Sequence, residues 1–291
     1  MGVRIISDTT SYIDAALQEE LNIKLIPLSV HFPDESFQED QVDNDYFYGK
    51  ILRDNVIPTS SQPSAGEILV YFREIAAAGD DIVAIFISSA MSGTYSNALS
   101  SIKELKSDFP NTKIEIIDSF TNCMSLGMIV LEAARAAKAH ASLEEVVNIA
   151  LQTRDNVAFY FVPESMVYLK KGGRIGTASS FLGSILNISP ILTVDMNQGM
   201  THLCAKARGP AKALTKIYDI MDKEYEQYGL QVIYVHHISA KERATQVKEL
   251  LTNKYPNIPI YMCDIGPVIG LHVGPGTIGI AYCREKSKGR L

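Results

Sequence analysis

The sequence predicts an α/β fold in two domains: an N-terminal parallel sheet with helices on both faces, then a C-terminal α/β domain. Three observations predict it. Apolar, β-branched runs alternate with helical periodicities through the first half, as buried parallel strands and their crossover helices do. The second half again holds strands and helices, but with longer connections. The length of 291 residues suits two domains or one large α/β unit.

In chain order, strands are expected at residues 3–7, 23–30, 82–87 and 113–117. Helices are expected at 12–21, 43–53, 66–78, 96–106 and 122–139, the fourth carrying Leu99, Ile102 and Leu105 at helical spacing. A helix over 143–154 closes the N-terminal domain, residues 1–155. The C-terminal domain, 156–291, has expected strands at 157–162, 191–194, 231–236, 258–262 and 277–283. Its helices fall at 210–228 and 240–254. Residues 170–190 are rich in Gly and Ser without a clear period, and a long structured loop of that kind often carries function.

Composition narrows the function. Hydrophobic residues make up 46% and charged residues 21%, which is ordinary for a chain with a sizeable core. A net charge of −6 offers no basic stripe for phosphates, so nucleic acid is not an expected partner. Cys123, Cys204, Cys263 and Cys283 are far apart and form no CxxC pair; no metal site and a reducing cytoplasm are the expectations. No secretory leader pattern precedes the first strand, and no apolar run reaches membrane-spanning length.

Several motifs carry chemistry. Ser88-Ser89-Ala90-Met91-Ser92-Gly93-Thr94-Tyr95 lies between an apolar strand and a helix. A hydroxyl-rich turn there gathers backbone and side-chain donors at the positive end of a helix dipole, which suits an anion; its plainer role is an N-cap. Thr59-Ser60-Ser61-Gln62-Pro63-Ser64 has the same character before the next helix. In Lys170-Lys171-Gly172-Gly173-Arg174-Ile175 the glycines allow a close backbone approach, and the guanidinium can hold an oxyanion, or the pair simply stops a helix. Lys206-Ala207-Arg208 places two cations on alternate positions and reads as a solvated edge. His272 sits among the glycines and prolines of residues 266–276, on a stiff and specific backbone path.

Other patterns fail on their context. Gly274-Pro275-Gly276-Thr277-Ile278-Gly279 matches GxGxxG, but a strand follows where a dinucleotide site needs a helix. Ser92 has Ala90 where a nucleophile elbow needs Gly. His236 and His237 would point to opposite faces of a strand, against a shared metal. Asp8, after the first strand, is expected to cap the next helix.

Taken in order, these segments resemble the DegV family of bacterial fatty-acid-binding proteins, the lipid-carrying subunits of fatty acid kinase. The similarity runs from Ser7-Asp8 through Ser61-Gln62-Pro63-Ser64, Ser92-Gly93-Thr94-Tyr95, Asp118-Ser119 and Leu169 to Ile175. It continues through Leu186-Asn187-Ile188 to Gly270-Leu271-His272-Val273-Gly274-Pro275-Gly276. The resemblance implies a long-chain fatty acid between two α/β domains, its carboxylate held by Ser92 and by Ser60, where the family usually has Thr. Thr59 and Ser61 are neighbouring hydroxyls that could take the place of Ser60. It further implies that Arg174, Arg208 and His272 contact an acyl phosphate or the kinase, and that the chain needs no cofactor and no stable membrane insertion. Ser189 stands where relatives often have Lys, which removes a positive charge. The competing readings are a serine esterase or acyltransferase with Ser92 as nucleophile and His272 as base, or a binder of small anions.

Overall fold

The computed structural model describes residues 2–181 and 187–285. The N-terminal half runs β1 (Val3–Asp8), α1 (Ala15–Leu21), β2 (Lys24–Ile26), β3 (Ser29–His31), β4 (Ser36–Gln38) and α2 (Asn44–Asp54). It continues with β5 (Thr59–Ser61), α3 (Ala65–Ala77), β6 (Asp81–Phe86), α4 (Thr94–Asp108), β7 (Ile114–Asp118), α5 (Cys123–Lys138) and α6 (Leu143–Asn156). The helix starts follow local chemistry. Ser64 with Glu67, and Ser142 with Glu145, form capping boxes at α3 and α6. Asn22 and Asn55 take the left-handed conformation that ends α1 and α2.

The second half comprises β8 (Val157–Val162), α7 (Val167–Gly172), β9 (Ile188–Asp195), β10 (Met200–Arg208), α8 (Pro210–Tyr228) and β11 (Leu230–His237). After these come α9 (Lys241–Lys254), β12 (Ile260–Asp264), α10 (Pro267–Val273) and β13 (Ile278–Arg284). A parallel sheet in the order β2-β1-β6-β7 forms the first half, and a mixed sheet β10-β9-β8-β13-β11-β12 the second. A small antiparallel sheet, β4-β3-β5, lies apart from both.

Strand alternation shows how the layers stack. On β6, Ile82, Ala84 and Phe86 pack with Phe72 of α3 and Leu105 of α4, while Val83 and Ile85 join the core around α5. On β13, Ile278, Ile280 and Tyr282 pack with α8 and α9, while Ala281 and Cys283 join that same α5 core. The two sheets therefore sandwich α5, and the largest apolar cluster is continuous from Ile5 to Cys283 across both.

Four expectations need correction. The strand over 23–30 is two strands, because Pro27 between them fixes its φ and has no N–H for a ladder. The helix over 12–21 starts later: Asp8 caps a short 3₁₀ turn, Thr9–Ser11, and α1 begins at Ala15. The cluster 59–64 is not one turn; residues 59–61 are the edge strand β5, and only Ser64 caps a helix. The irregular stretch 170–190 contains the end of α7 and a 3₁₀ helix, Gly176–Phe181, then leads into β9; residues 182–186 lie outside the described residues. GxGxxG at 274–279 leads into the strand β13.

Candidate functional site

Between the two sheets lies a slot floored by Phe159 and Phe161 of β8 and walled by Leu28, Cys123, Ile265 and Ile269. Its empty volume, counted out to the open mouth, is about 820 Å³. Apolar side chains supply most of the surface it exposes. One polar group is formed by Ser60, Gln62, Ser92, Arg174 and His272; Asn122, Thr201, His236, His237 and Thr277 are further polar residues of the lining.

The members of that first group arrive on different elements. Strand alternation in β5 turns Ser60 toward α10 and sends Thr59 and Ser61 to the other face, where Ser61 meets His31 Nε2 at 2.8 Å. Ser60 Oγ lies 2.9 Å from His272 Nε2. His272 is held on a helix, α10, rather than on an irregular glycine path. Among the described residues its Nδ1 has no partner, and it packs on Gly172, where an added Cβ would come within 2.2 Å. A proton on Nδ1 would leave a buried donor unsatisfied, so hydrogen bonding assigns the proton to Nε2, which donates to Ser60. The Ser60 hydroxyl hydrogen then remains for a ligand. Burial, followed by the nearby Arg174 charge, pulls His272 down to about 4, so it stays neutral at pH 7.

Ser92 closes the turn after β6, at the N-terminus of α4. Its Oγ lies 2.9 Å from Thr94 Oγ1 and accepts from Thr94 N at 3.4 Å. Arg174 follows Gly173, whose left-handed φ of +72° ends α7. The guanidinium donates to Gly172 O (2.7 Å) and to Met91 O (3.0 Å), which ties the α7 loop to the Ser92 turn. A second tie is Ser88 Oγ, which donates to Gly199 O in the β9–β10 turn at 2.7 Å.

Arg208 stands apart. It is exposed at the end of β10, as is Lys206, while Ala207 between them is buried, and Arg208 does not line the slot. Among the polar lining residues, Gln62 and Asn122 were not proposed as site residues from the sequence, and His236 was considered only as half of a metal pair. Gln62 reaches over Gly93, where a Cβ would lie 2.6 Å from its amide nitrogen. Asn122 precedes α5 without capping it, and its buried Oδ1 has no partner among the described residues. His236 accepts from Met124 N at 3.2 Å, and burial pulls it down to about 3. An asparagine before a helix was the only signal for Asn122, and it normally means a cap.

The arrangement suits an anion with a long apolar body. Two hydroxyls, the N-terminus of α4 and one guanidinium converge at one end, and a largely apolar slot leads away from them. The Ser92–His272 pair that the esterase reading requires is not assembled: His272 pairs with Ser60, and Ser92 pairs with Thr94. Among the described residues, no cluster of three or more His, Cys, Asp or Glu is placed to hold a metal. No helix among them is long and apolar enough to cross a membrane.

Known proteins share this fold and sequence throughout. A DegV domain-containing protein of Clostridium acetobutylicum is 44% identical over 287 residues, covering 99% of both chains. The crystal structure of DegV from Bacillus subtilis, described as a fatty acid binding protein, matches with a TM-score of 0.88 and 32% identity over 98% of this chain and 99% of that one. A DegV family protein from Thermus thermophilus, described by its fatty acid binding, matches with a TM-score of 0.87 and 27% identity over 98% and 100%. The family model described as "uncharacterised protein, DegV family" matches residues 2–285, so the chain belongs to the DegV family.

Proposed function

We propose that this protein binds one long-chain fatty acid in the slot and presents its carboxylate to a separate ATP-dependent fatty acid kinase. The product would be an acyl phosphate that feeds phospholipid synthesis in the cytoplasm. The observation that carries this reading is a largely apolar slot ending at two hydroxyls and an arginine, in a chain similar to fatty-acid-binding proteins.

The magnitudes fit a carrier. Burying ~16 methylenes at about 0.8 kcal/mol each yields ~13 kcal/mol, while association costs about 4–15 kcal/mol. The tail therefore supplies most of the affinity, and the head-group contacts decide whether the carboxylate is tolerated near the protein interior. Ser60 and Ser92 donate to it. Arg174 lies beside them and stabilises negative charge that grows on phosphorylation. Arg208, exposed outside the slot, faces the kinase in this reading.

A paired assay on Arg174→Ala tests both halves. Native mass spectrometry of the gently purified wild type should show a co-purified fatty acid, and the variant should retain it. Acyl-phosphate formation with the cognate kinase and ATP should fall by about ten-fold or more on loss of a charge-assisted contact. An empty wild type that binds no added fatty acid contradicts the binding half. Equal turnover in variant and wild type contradicts the assigned role of Arg174.

A further inference from the structure

Helix α10 forms one wall of the slot through Val268, Ile269, His272 and Val273, yet it brings no side-chain cap of its own. Its cap comes from the other half of the chain. Val268 N donates to Glu39 Oε1 at 2.9 Å, and Ile269 N donates to the Tyr12 hydroxyl at 3.3 Å. Tyr12 in turn donates to Glu39 Oε1 at 2.9 Å. Glu39 Oε2 lies 2.6 Å from Thr9 Oγ1. Gly266 permits this approach, since a Cβ there would stand 2.9 Å from both Glu39 Oε1 and Tyr12 Cε1. Glu39 is only 5% exposed.

We propose that Glu39 is a positioning residue that latches α10 over the bound ligand, held while its carboxyl is protonated and loosened when it ionises. The proposal rests on the fatty-acid reading above. Among the described residues, the groups around Glu39 are acidic or neutral: Asp8 on β1, Thr9 and Tyr12 after it, Gln18 on α1, Asp40 beside it, Asn44 and Tyr48 on α2, and Cys123 on α5. Asp264 on β12 acts on Tyr48 and adds negative charge there. Burial above all, with Asp8 adding to it, pushes Glu39 up to about 7 against the hydrogen bonds from Thr9, Val268 and Tyr12.

The protonated carboxyl keeps every partner. Its Oε2–H donates to Thr9, and Oε1 still accepts from Val268 and Tyr12. The ionised form keeps the same contacts but carries a buried charge with no cation opposite it among the described residues. Moving α10 away returns the carboxylate to water, where its pKa is about 4.3. A carboxyl raised in the latched state binds its proton more tightly there, so the latch is full below about pH 4.5 and is lost as pH rises through about 7.

The test follows release of radiolabelled palmitate from the full-length protein into acceptor vesicles. Wild type should release about ten-fold faster at about pH 8.5 than at about pH 6. Glu39→Gln reproduces the protonated geometry, with its amide donating to Thr9, and should release slowly at both. Glu39→Ala should release fast at both. Identical pH profiles for wild type and Glu39→Gln overturn the proposal. If the wild type holds no palmitate at any pH, the ligand reading fails, and the latch is decided by amide exchange over residues 267–273. Exchange corrected for its intrinsic rate should then be faster in wild type than in Glu39→Gln at high pH only, and equal exchange at both pH values overturns it.

Discussion

The proposed head-group site depends on hydroxyls whose hydrogens are left free by their neighbours. His272 Nε2–H satisfies Ser60 Oγ, and Thr94 can satisfy Ser92 Oγ, so each serine can donate outward. Replacing either serine with Ala should weaken fatty acid binding about ten- to a hundred-fold, the worth of one hydrogen bond to a charged group, roughly 1.5–3 kcal/mol. Titration of each variant with fatty acid, beside an unchanged thermal unfolding curve, checks this. Ser92, Arg174 and His272 stood out in the sequence because each has a short Gly- or Ser-rich setting, and all three line the slot. The sequence did not separate Ser60 from Thr59 and Ser61, because that choice depends on β5 being a strand rather than a cap turn. Glu39 was beyond reach for a different reason: its partner Val268 is 229 residues away, and nothing local marks either one.

At the level of elements, α5 is the piece on which both halves rest. Its residues from Cys123 to Leu131 are all buried, so it is apolar on every side, as a helix between two sheets must be. Gly127 shows how close that packing is: a Cβ there would lie 2.6 Å from the Ser11 carbonyl oxygen. Gly127→Ala gains up to about 1 kcal/mol of helix propensity but loses about 1–3 kcal/mol to overpacking. A net loss is expected in urea unfolding. Gly49→Ala on α2, with nothing within 4 Å of the new methyl, should instead stabilise by up to about 1 kcal/mol. The helices and long strands were legible because period and length agree. The short strands β3, β4 and β5 were not, since three residues carry too little period to be told from a loop. Strand β10 escaped because its exposed Lys206 and Arg208 read as a solvated edge, which is also their place in the fold.

Over the whole molecule, the order of apolar runs was enough to read the parallel sheet and its helices on both faces, and the motif order was enough to read the family. What the sequence left open was how the second sheet packs across α5, because that contact depends on residues far apart in the chain. That packing creates the slot, and the account stands on what fills it. The most direct measurement is a crystal structure with an ω-bromo long-chain fatty acid, in which anomalous scattering marks the tail and density marks the head. The account predicts the carboxylate within about 3 Å of Ser60 Oγ and Ser92 Oγ, and bromine in the apolar part of the slot near Cys123 and Ile265. Bromine at the Ser92 turn, or a ligand bound outside the slot altogether, would contradict it.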